Sequence, residues 1–419
     1  MEAPLHEAPI AAERPADLDR WPAMGRPRPA PARAAIARVL LRKVARQTGI
    51  RVALPDGTSF GAPSGPTMRI VRPDAFFDRV GRSGKIGFGE AYMAGDWVAV
   101  GDLADLLTPM AANMRTLVPP SLQWIRRFYE PRPPRSEDND PTGSRRNISR
   151  HYDLSNDLFS LFLDPSMTYS SALFLDPAEP LELAQSRKIE RLLDGARVGP
   201  GSRVLEIGTG WGELARQAAR RGAQVTTLTL STEQAELART RLAAEGLDER
   251  VEVMIRDYRH SSGRFDAILS VEMIEAVGER WWPTYFRTLE DRLAPGGRIG
   301  IQSILMRHDG MIAARSSWTW IHKYIFPGGI IPSLPAIDKT LADHTSLRVM
   351  QRHHFGSSYA ETLKQWRDRF MAEEPAVDAL GFDAVFRRMW EFYLAYSEAG
   401  FRSGYLDVAQ LILGRGEGR

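Results

Sequence analysis

The sequence predicts an α/β protein: a doubly wound parallel sheet from about residue 145 onward, preceded by a small mixed domain. Three observations predict it. From residue 203 short apolar runs alternate with runs of helical length, the pattern of strands joined by crossover helices. A stretch dense in Pro and charge, YEPRPPRSEDNDPTGS at about 129–144, divides the chain, and such a composition cannot build a core. Of 419 residues, 43% are hydrophobic and 26% charged, enough for two or three ordinary domains.

Taken in order, residues 1–32 are rich in Pro, Ala and Arg, with Pro27, Pro29 and Pro31 favouring an extended, disordered lead. The next domain, 33–128, opens with RAAIARVLLRKVARQ. There Ile36, Val39, Leu40 and Val44 recur at helical spacing, with Arg38, Arg42, Lys43 and Arg46 between them, a basic amphipathic helix. Such a helix either packs on its own domain or meets anionic lipid. RVALPDGTSFG gives a strand and an Asp-Gly turn, RIVRPDAFFDRV passes from strand to helix, and GKIGFGEAYMAGDWVA is dense in Gly and aromatics. After the linker, residues 145–419 carry strands at RVLEIG, QVTTLTLS, VEVMIRD, FDAILSV and GRIGIQSILM, with helices at ELARQAARRG and TEQAELARTRLAAEGL between the first three.

Composition excludes several classes. Lys and Arg total 55 against 52 acidic residues, a net charge of +3, too small to suggest a nucleic-acid partner. With no cysteine, a disulfide scaffold, a thiol nucleophile and a Cys-ligated metal are ruled out. His322, His353 and His354 have no metal-binding spacing, and no metal is assigned. No apolar run is long enough to span a bilayer, and the first residues lack an apolar signal core, so the expected location is cytoplasmic.

In such a sheet, ligands bind where strand order reverses. Val204-Leu205-Glu206-Ile207-Gly208-Thr209-Gly210-Trp211-Gly212 reads as a strand, a Gly-rich turn and a helix start. Gly208, Gly210 and Gly212 let the backbone come close to a ligand. The spacing is not the dinucleotide GxGxxG. The acid Glu206 suits the ammonium of S-adenosylmethionine (SAM), which has no pyrophosphate to cradle, so a Rossmann-like SAM-methyltransferase domain is expected. The next strand ends at Thr229 and Ser231, with Gln234 nearby; a hydroxyl or Gln234 must serve the ribose. Asp257 and Tyr258 end the third strand and suit the adenine, although Asp257 also reads as a helix N-cap.

At this point the sequence resembles the cyclopropane-fatty-acyl-phospholipid synthase family of SAM-dependent lipid methyltransferases. The resemblance rests on RRNISRHYDLSNDLFSLFLDPSMTYSSALF, VLEIGTGWGELA, LTLSTEQ, SVEMIEAVG, WIHKYIFPGG and MWEFYLAYSEAGFRSGYLDV. Within it, GFGEAYMAGDW, WTWIHKYIFPGGIIPS and AYSEAGFRSGYLDV are similar to the branch that makes tuberculostearic (10-methylstearic) acid. That likeness implies methylation of an oleoyl chain of a phospholipid to a 10-methylene product, which a separate flavin-linked reductase saturates. It also implies an enzyme peripheral at the inner face of the membrane. A homo-oligomer is left open.

Methylating an alkene leaves a carbocation, which aromatic faces stabilise. Tyr169, Phe174, Trp318, Trp320, Tyr324 and Phe326 are available, as wall, acyl-channel lining or ordinary core. The family holds a bicarbonate ion as base in a cage of Cys, Glu, His, an Ile backbone and Tyr. Carried over, the Glu falls on Glu275, the Ile on Ile304 and the Tyr on Tyr359, while Ser171 stands at the Cys position and Gln302 at the His position. Gln302 cannot take up a proton as His can, which sets the cyclopropane outcome against the methylene one. Glu272 reads as a structural ion-pair partner. The resemblance places Tyr152, Tyr169 and Ser170 at the SAM site; His151 is either functional or a packing residue. The alternatives are a true cyclopropane synthase, a SAM enzyme for a soluble small molecule, and a membrane adaptor with an inactive SAM fold.

Overall fold

The computed structural model describes residues 17–114, 134, 155–315 and 317–416. The predicted linker, Pro134 apart, lies outside the described residues, as do His151 and Tyr152. Strands β5 (Arg203–Ile207), β6 (Gln224–Thr229), β7 (Val251–Ile255), β8 (Phe265–Val271), β9 (Leu293–Met306), β10 (Leu347–His354) and β11 (Leu406–Arg415) form a seven-stranded sheet. Its order is β10-β11-β9-β8-β5-β6-β7. Pairs β5/β6, β6/β7, β5/β8 and β8/β9 are parallel, as the alternating pattern predicts. The mixed edge is new: β11 runs antiparallel to β9, and β10 antiparallel to β11.

The chain steps outward from β5 to β6 and β7, then returns to lay β8 on the other side of β5. Strand order therefore reverses at β5/β8, and a crevice opens at the carboxyl ends of these two strands. β5 is buried at Val204, Leu205, Glu206 and Ile207, as befits a central strand covered on both faces.

The N-terminal region has its own sheet, β2-β1-β3-β4, from β1 (Arg51–Ala53), β2 (Ser59–Gly61), β3 (Thr67–Ile70) and β4 (Trp97–Val100). Helices α1 (Pro31–Thr48), α2 (Pro73–Met93) and α3 (Leu103–Ala112) accompany it. The buried Asp96 carboxylate accepts from Arg72 (2.9 Å) and Arg79 (3.0 Å), fixing β4 to α2. Part of the predicted lead packs instead of trailing: Trp21 Nε1 donates to Asp383 at 2.8 Å, and Met24 is buried.

Helix α1 forms where its apolar spacing predicts, but with the other face inward. The buried positions are Ala37, Leu41, Ala45 and Thr48, while Ile36, Val39 and Leu40 are 55%, 66% and 53% exposed. The cause is close approach. A Cβ at Gly81 of α2 would lie 2.8 Å from the Arg33 carbonyl carbon at the start of α1, and of the large aliphatic residues in the helix only Leu41 is buried. Nor do all four predicted basic residues face solvent freely. Arg38 lies over the Phe77 ring, 4.1 Å from its centroid, and pairs with Asp74.

One apolar core runs without a break from Leu41 and Trp97 in the N-terminal region to Phe159, Trp366 and Trp390 beyond the sheet. Trp320 fills the space left by Gly89, where a Cβ would meet the indole at 2.5 Å. Beside it Glu90 accepts from Lys323 (2.5 Å) and Tyr324 (2.9 Å), and Tyr92 donates to Glu391 at 2.6 Å. Polar and aromatic contacts thus lock the N-terminal region to the segment 320–324 and to the long helix Ala384–Arg402.

Candidate active site

The Gly-rich turn sits at the β5 end of the crevice. Gly208, Gly210 and Gly212 all have positive φ, of 97°, 51° and 90°. What each lacks differs. A Cβ at Gly208 would strike the Met273 side chain at 2.8 Å, and one at Gly212 would press on Ala238 at 3.1 Å. At Gly210 it would meet nothing within 4 Å. Two of the glycines therefore serve packing, and the third borders open space. Glu206, almost fully buried, leaves Oε2 without a hydrogen-bond partner. Burial pushes its carboxyl up to about 8, against a smaller opposite effect of the Thr227 hydroxyl. A buried carboxylate short of a donor beside an unfilled turn fits a cationic ligand such as the SAM ammonium.

The other predicted cofactor residues fall along the same edge. Thr229 donates to Gln234 at 3.0 Å, both buried at the end of β6, and Ser231 caps the helix that follows. Asp257 performs the N-cap role foreseen for it, accepting from Arg259 N at 2.9 Å and from its guanidinium at 2.8 and 2.6 Å. Burial raises its carboxyl, but these Arg259 bonds outweigh it and leave the group below its ordinary value. Tyr258 is buried against Tyr285. Tyr169 points its hydroxyl at Tyr393 (2.8 Å) within a cluster of Phe159, Phe162 and Trp366. Ser170 accepts from the buried Lys188 at 2.7 Å. Burial lowers that ammonium to about 8, against the opposing charge of Glu272.

At the end of β8 the five predicted cage residues converge, around a sixth. Glu272 Oε1 accepts from Ser171 N (3.0 Å) and Gln302 Nε2 (2.9 Å), and its Oε2 accepts from the Tyr359 hydroxyl (2.6 Å). Glu272 is not the ion-pair partner expected from sequence. Three neutral donors hold it. Glu275 stands alongside, accepting from Ser303 Oγ (2.9 Å) and Ile304 N (2.5 Å), with Oε2 buried and without a partner. Burial and the adjacent Glu272 push the Glu275 carboxyl up to about 8. Burial raises Glu272 as well, opposed by the Tyr359, Gln302 and Ser171 bonds and by Lys188.

Gln302 is itself oriented. Its Oε1 accepts from Gln410 Nε2 (3.2 Å) on β11, so its amide nitrogen faces Ser171 O and Glu272. The loop 326–330 closes over Glu275, with Ile330 N donating to the Glu275 carbonyl at 2.8 Å. There the Phe326 ring lies 5.7 Å from Tyr393. Of the predicted aromatics, Tyr169 and Phe326 both meet Tyr393, whose hydroxyl acts electrostatically on the cage residue Tyr359, while Trp320 and Tyr324 belong to the contact with the N-terminal region.

A sequence pattern for mycolic acid cyclopropane synthetase matches residues 139–411. Over 409 residues, covering 95% of this chain and 96% of the relative, the protein is 53% identical to the tuberculostearic acid methyltransferase UfaA1 of Mycobacterium tuberculosis. The chain belongs to the mycolic acid cyclopropane synthetase family. It is also 34% identical over 365 residues to the cyclopropane-fatty-acyl-phospholipid synthase of Escherichia coli, covering 86% of this chain and 91% of that one. Among solved structures of the family, cyclopropane synthase CmaA1 complexed with SAH and CTAB is similar at a TM-score of 0.59 and 29% identity, covering 64% of this chain and 97% of that one. The N-terminal sheet and α1–α3 lie outside the residues that the family pattern matches.

Sequence reasoning missed Lys188, Gln410 and the position of Glu272. A lysine in an otherwise amphipathic helix and a glutamine in an apolar strand were the only signals for the first two. For Glu272 the decisive fact is a backbone angle, φ of +50°, which no residue pattern announces.

Proposed function

We propose that the protein transfers the methyl group of SAM to the cis double bond of an oleoyl chain in a phospholipid, giving a 10-methylene fatty acyl product. The observation that carries this reading is the 53% identity, along nearly the whole chain, to a tuberculostearic acid methyltransferase. The geometry fits that chemistry. When bound, SAM supplies an electrophilic methyl. Glu206 and the open side of Gly210 hold its methionine end, Thr229 and Gln234 stand where a ribose would lie, and Asp257 and Tyr258 border the adenine. The Tyr152 position would complete the cofactor set. The chain's own part is to orient the alkene, exclude water and accept a proton. Tyr169, Tyr393 and Phe326 face the region where positive charge develops, and the Glu272–Glu275 pair lies beside them.

We infer that the substrate is reached at a membrane surface. Among the described residues no helix is long and apolar enough to cross a bilayer. The solvent face of α1 instead presents Ile36, Val39 and Leu40 among exposed Arg33, Arg42, Lys43 and Arg46, the make-up of an interfacial helix. A separate flavin-dependent reductase would convert the methylene product to the 10-methyl acid. The test is fatty-acid analysis after incubating the enzyme with dioleoyl phospholipid vesicles and labelled SAM. A methylene branch and a cyclopropane ring have equal mass, so ozonolysis distinguishes them. Cleavage of the C10 methylene to a 10-keto acyl chain and formaldehyde is expected. Cyclopropane as the sole product would establish the ring-forming alternative.

A further inference from the structure

The cage is already full. Its donors, Ser171 N, Gln302 Nε2 and Tyr359 Oη, all point at Glu272, and Ile304 N points at Glu275. Bicarbonate arriving there would find every one of these donors engaged and, beside the cage glutamate Glu275, a second carboxyl group, Glu272, in its way. The residues present do not fit the ion that the family resemblance implies. We propose that the Glu272 side chain takes its place: it is the base of the reaction, built into the chain, and turnover needs no dissolved bicarbonate. This inference rests on the methyl-transfer reading above.

Three features support it beyond the hydrogen bonds. First, Glu272 adopts φ of +50°, one of three non-glycine residues at positive φ among those described. That conformation is unfavourable for a side chain with a Cβ and persists where the surroundings fix it. It occurs at the strand end, with Glu272 N still donating to Gln302 O at 2.8 Å, and it turns the carboxylate toward Ser171 and Tyr359. Second, the donors are themselves fixed. Gln410 orients the Gln302 amide, and Tyr359 is buried in the helix Gly356–Ala372 with its ring 4.4 Å from Phe401. Third, the residue at the other cage position, Gln302, cannot accept the proton, so a carboxylate must. Burial raises both carboxyls of the pair; Glu272, with three donors and the Lys188 charge opposing that effect, is the better placed of the two to ionise.

The step balances without a further reactant. The π pair of the alkene forms the new C–C bond as the S–CH3 bond breaks, leaving a cation on the neighbouring carbon. A hydride moves from the methylated carbon to that neighbour and carries the positive charge back. A C–H bond of the new methyl then breaks. Its electron pair becomes the methylene double bond, and its proton goes to a Glu272 oxygen, to be released to solvent before the next turnover.

The experiment measures labelled-methyl transfer to dioleoyl phospholipid vesicles in CO2-stripped buffer, with and without millimolar bicarbonate. It compares wild type, Glu272→Gln and Glu272→Gly, and a parallel calorimetric titration reports SAM affinity. Wild type is expected to turn over equally in both buffers. Glu272→Gln is expected to lose at least about 100-fold in kcat with SAM affinity retained, as when a positioned base is removed. Glu272→Gly suits the positive φ and opens the cage; bicarbonate or formate should restore its activity, a rescue that a purely structural role would not allow. Loss of wild-type turnover on stripping CO2, full kcat in Glu272→Gln, or failure of both anions to rescue Glu272→Gly would each overturn the proposal. Absence of any transfer to unsaturated phospholipid by wild type in either buffer would instead refute the methyl-transfer reading, and this one with it.

Discussion

Gly210→Ala isolates the cofactor from the protein. A methyl at Gly210 has no protein atom within 4 Å, so the folded chain has room for it. The remaining intrinsic penalty comes from φ of +51°, about 1–2 kcal/mol for alanine in the left-handed region. In a chain of this size that lowers Tm by only a few degrees. The ligand is a different matter. If the methionine portion of SAM lies against this turn, the added methyl occupies its van der Waals space, and the affinity loss should exceed about 1.4 kcal/mol, or tenfold in Kd. Calorimetric titration of SAM, paired with thermal melts, measures both. Gly199→Ala is the control, since that glycine also has open space around it and no positive φ; its Kd should equal wild type. Gly208→Ala would be uninformative, because its Cβ strikes Met273 whether or not a ligand is bound. Unchanged affinity in Gly210→Ala would mean that the cofactor does not approach this turn, and the reading of the β5 edge would be wrong.

Two further outcomes are expected. Burial holds the Glu206 carboxyl up to about 8, so in the free enzyme at pH 7 it is protonated; pairing with a cationic ligand ionises it. SAM binding at pH 7 should therefore release a proton, seen as a dependence of the calorimetric heat on buffer ionisation enthalpy, and Glu206→Gln should abolish that dependence. The sign for stability follows. A carboxyl raised in the folded state stabilises at low pH, and that contribution falls away as pH rises from its unfolded value near 4.5 through about 8, so melts without SAM should drop over this window and less steeply in Glu206→Gln. On α1, replacing Ile36, Val39 and Leu40 together with Ser should weaken pelleting with anionic vesicles by more than tenfold, since each aliphatic side chain is worth about 1.5–3 kcal/mol when fully buried, while SAM affinity is unchanged. Unaltered pelleting would place the membrane contact elsewhere.

Much of this arrangement was legible in residue order. The five parallel strands announce themselves because buried central strands need continuous apolar runs, and the reversal of strand order at β5/β8 puts ligand residues at predictable ends. The face of α1 was not legible, because helical periodicity finds where bulky apolar residues recur and is silent on how near the next helix comes. With Gly81 of α2 against the start of α1, Ala37, Leu41 and Ala45 face inward and Ile36, Val39 and Leu40 are turned out. Likewise β10 escaped notice because most of its residues are exposed, so its antiparallel partner β11 was read only as part of a family signature.

Product choice depends on the part of the site that was least legible. Ser171 and Gln302 look, in sequence, like two substitutions in an anion cage, each changing one donor. In the folded chain they form one unit with Glu272 and Gln410: β11 supplies Gln410, Gln410 sets the Gln302 amide, and that amide together with Ser171 N and Tyr359 binds one oxygen pair. Exchanging Gln302 for His would alter one donor and Ser171 for Cys none, since Ser171 donates through its backbone N; the carboxylate remains in place, so those two changes alone do not make room for an external base. A tethered carboxylate also differs from a free ion in where it can reach. Its position is set by the strand end of β8, and the proton it removes is the one held nearest that point. The ring-forming outcome requires a proton to leave while the methyl carbon closes on the cation; the methylene outcome requires the cation to outlast a hydride shift. A base held by three donors is weaker and less mobile than a loosely bound ion, which prolongs the life of the cation and favours the methylene product.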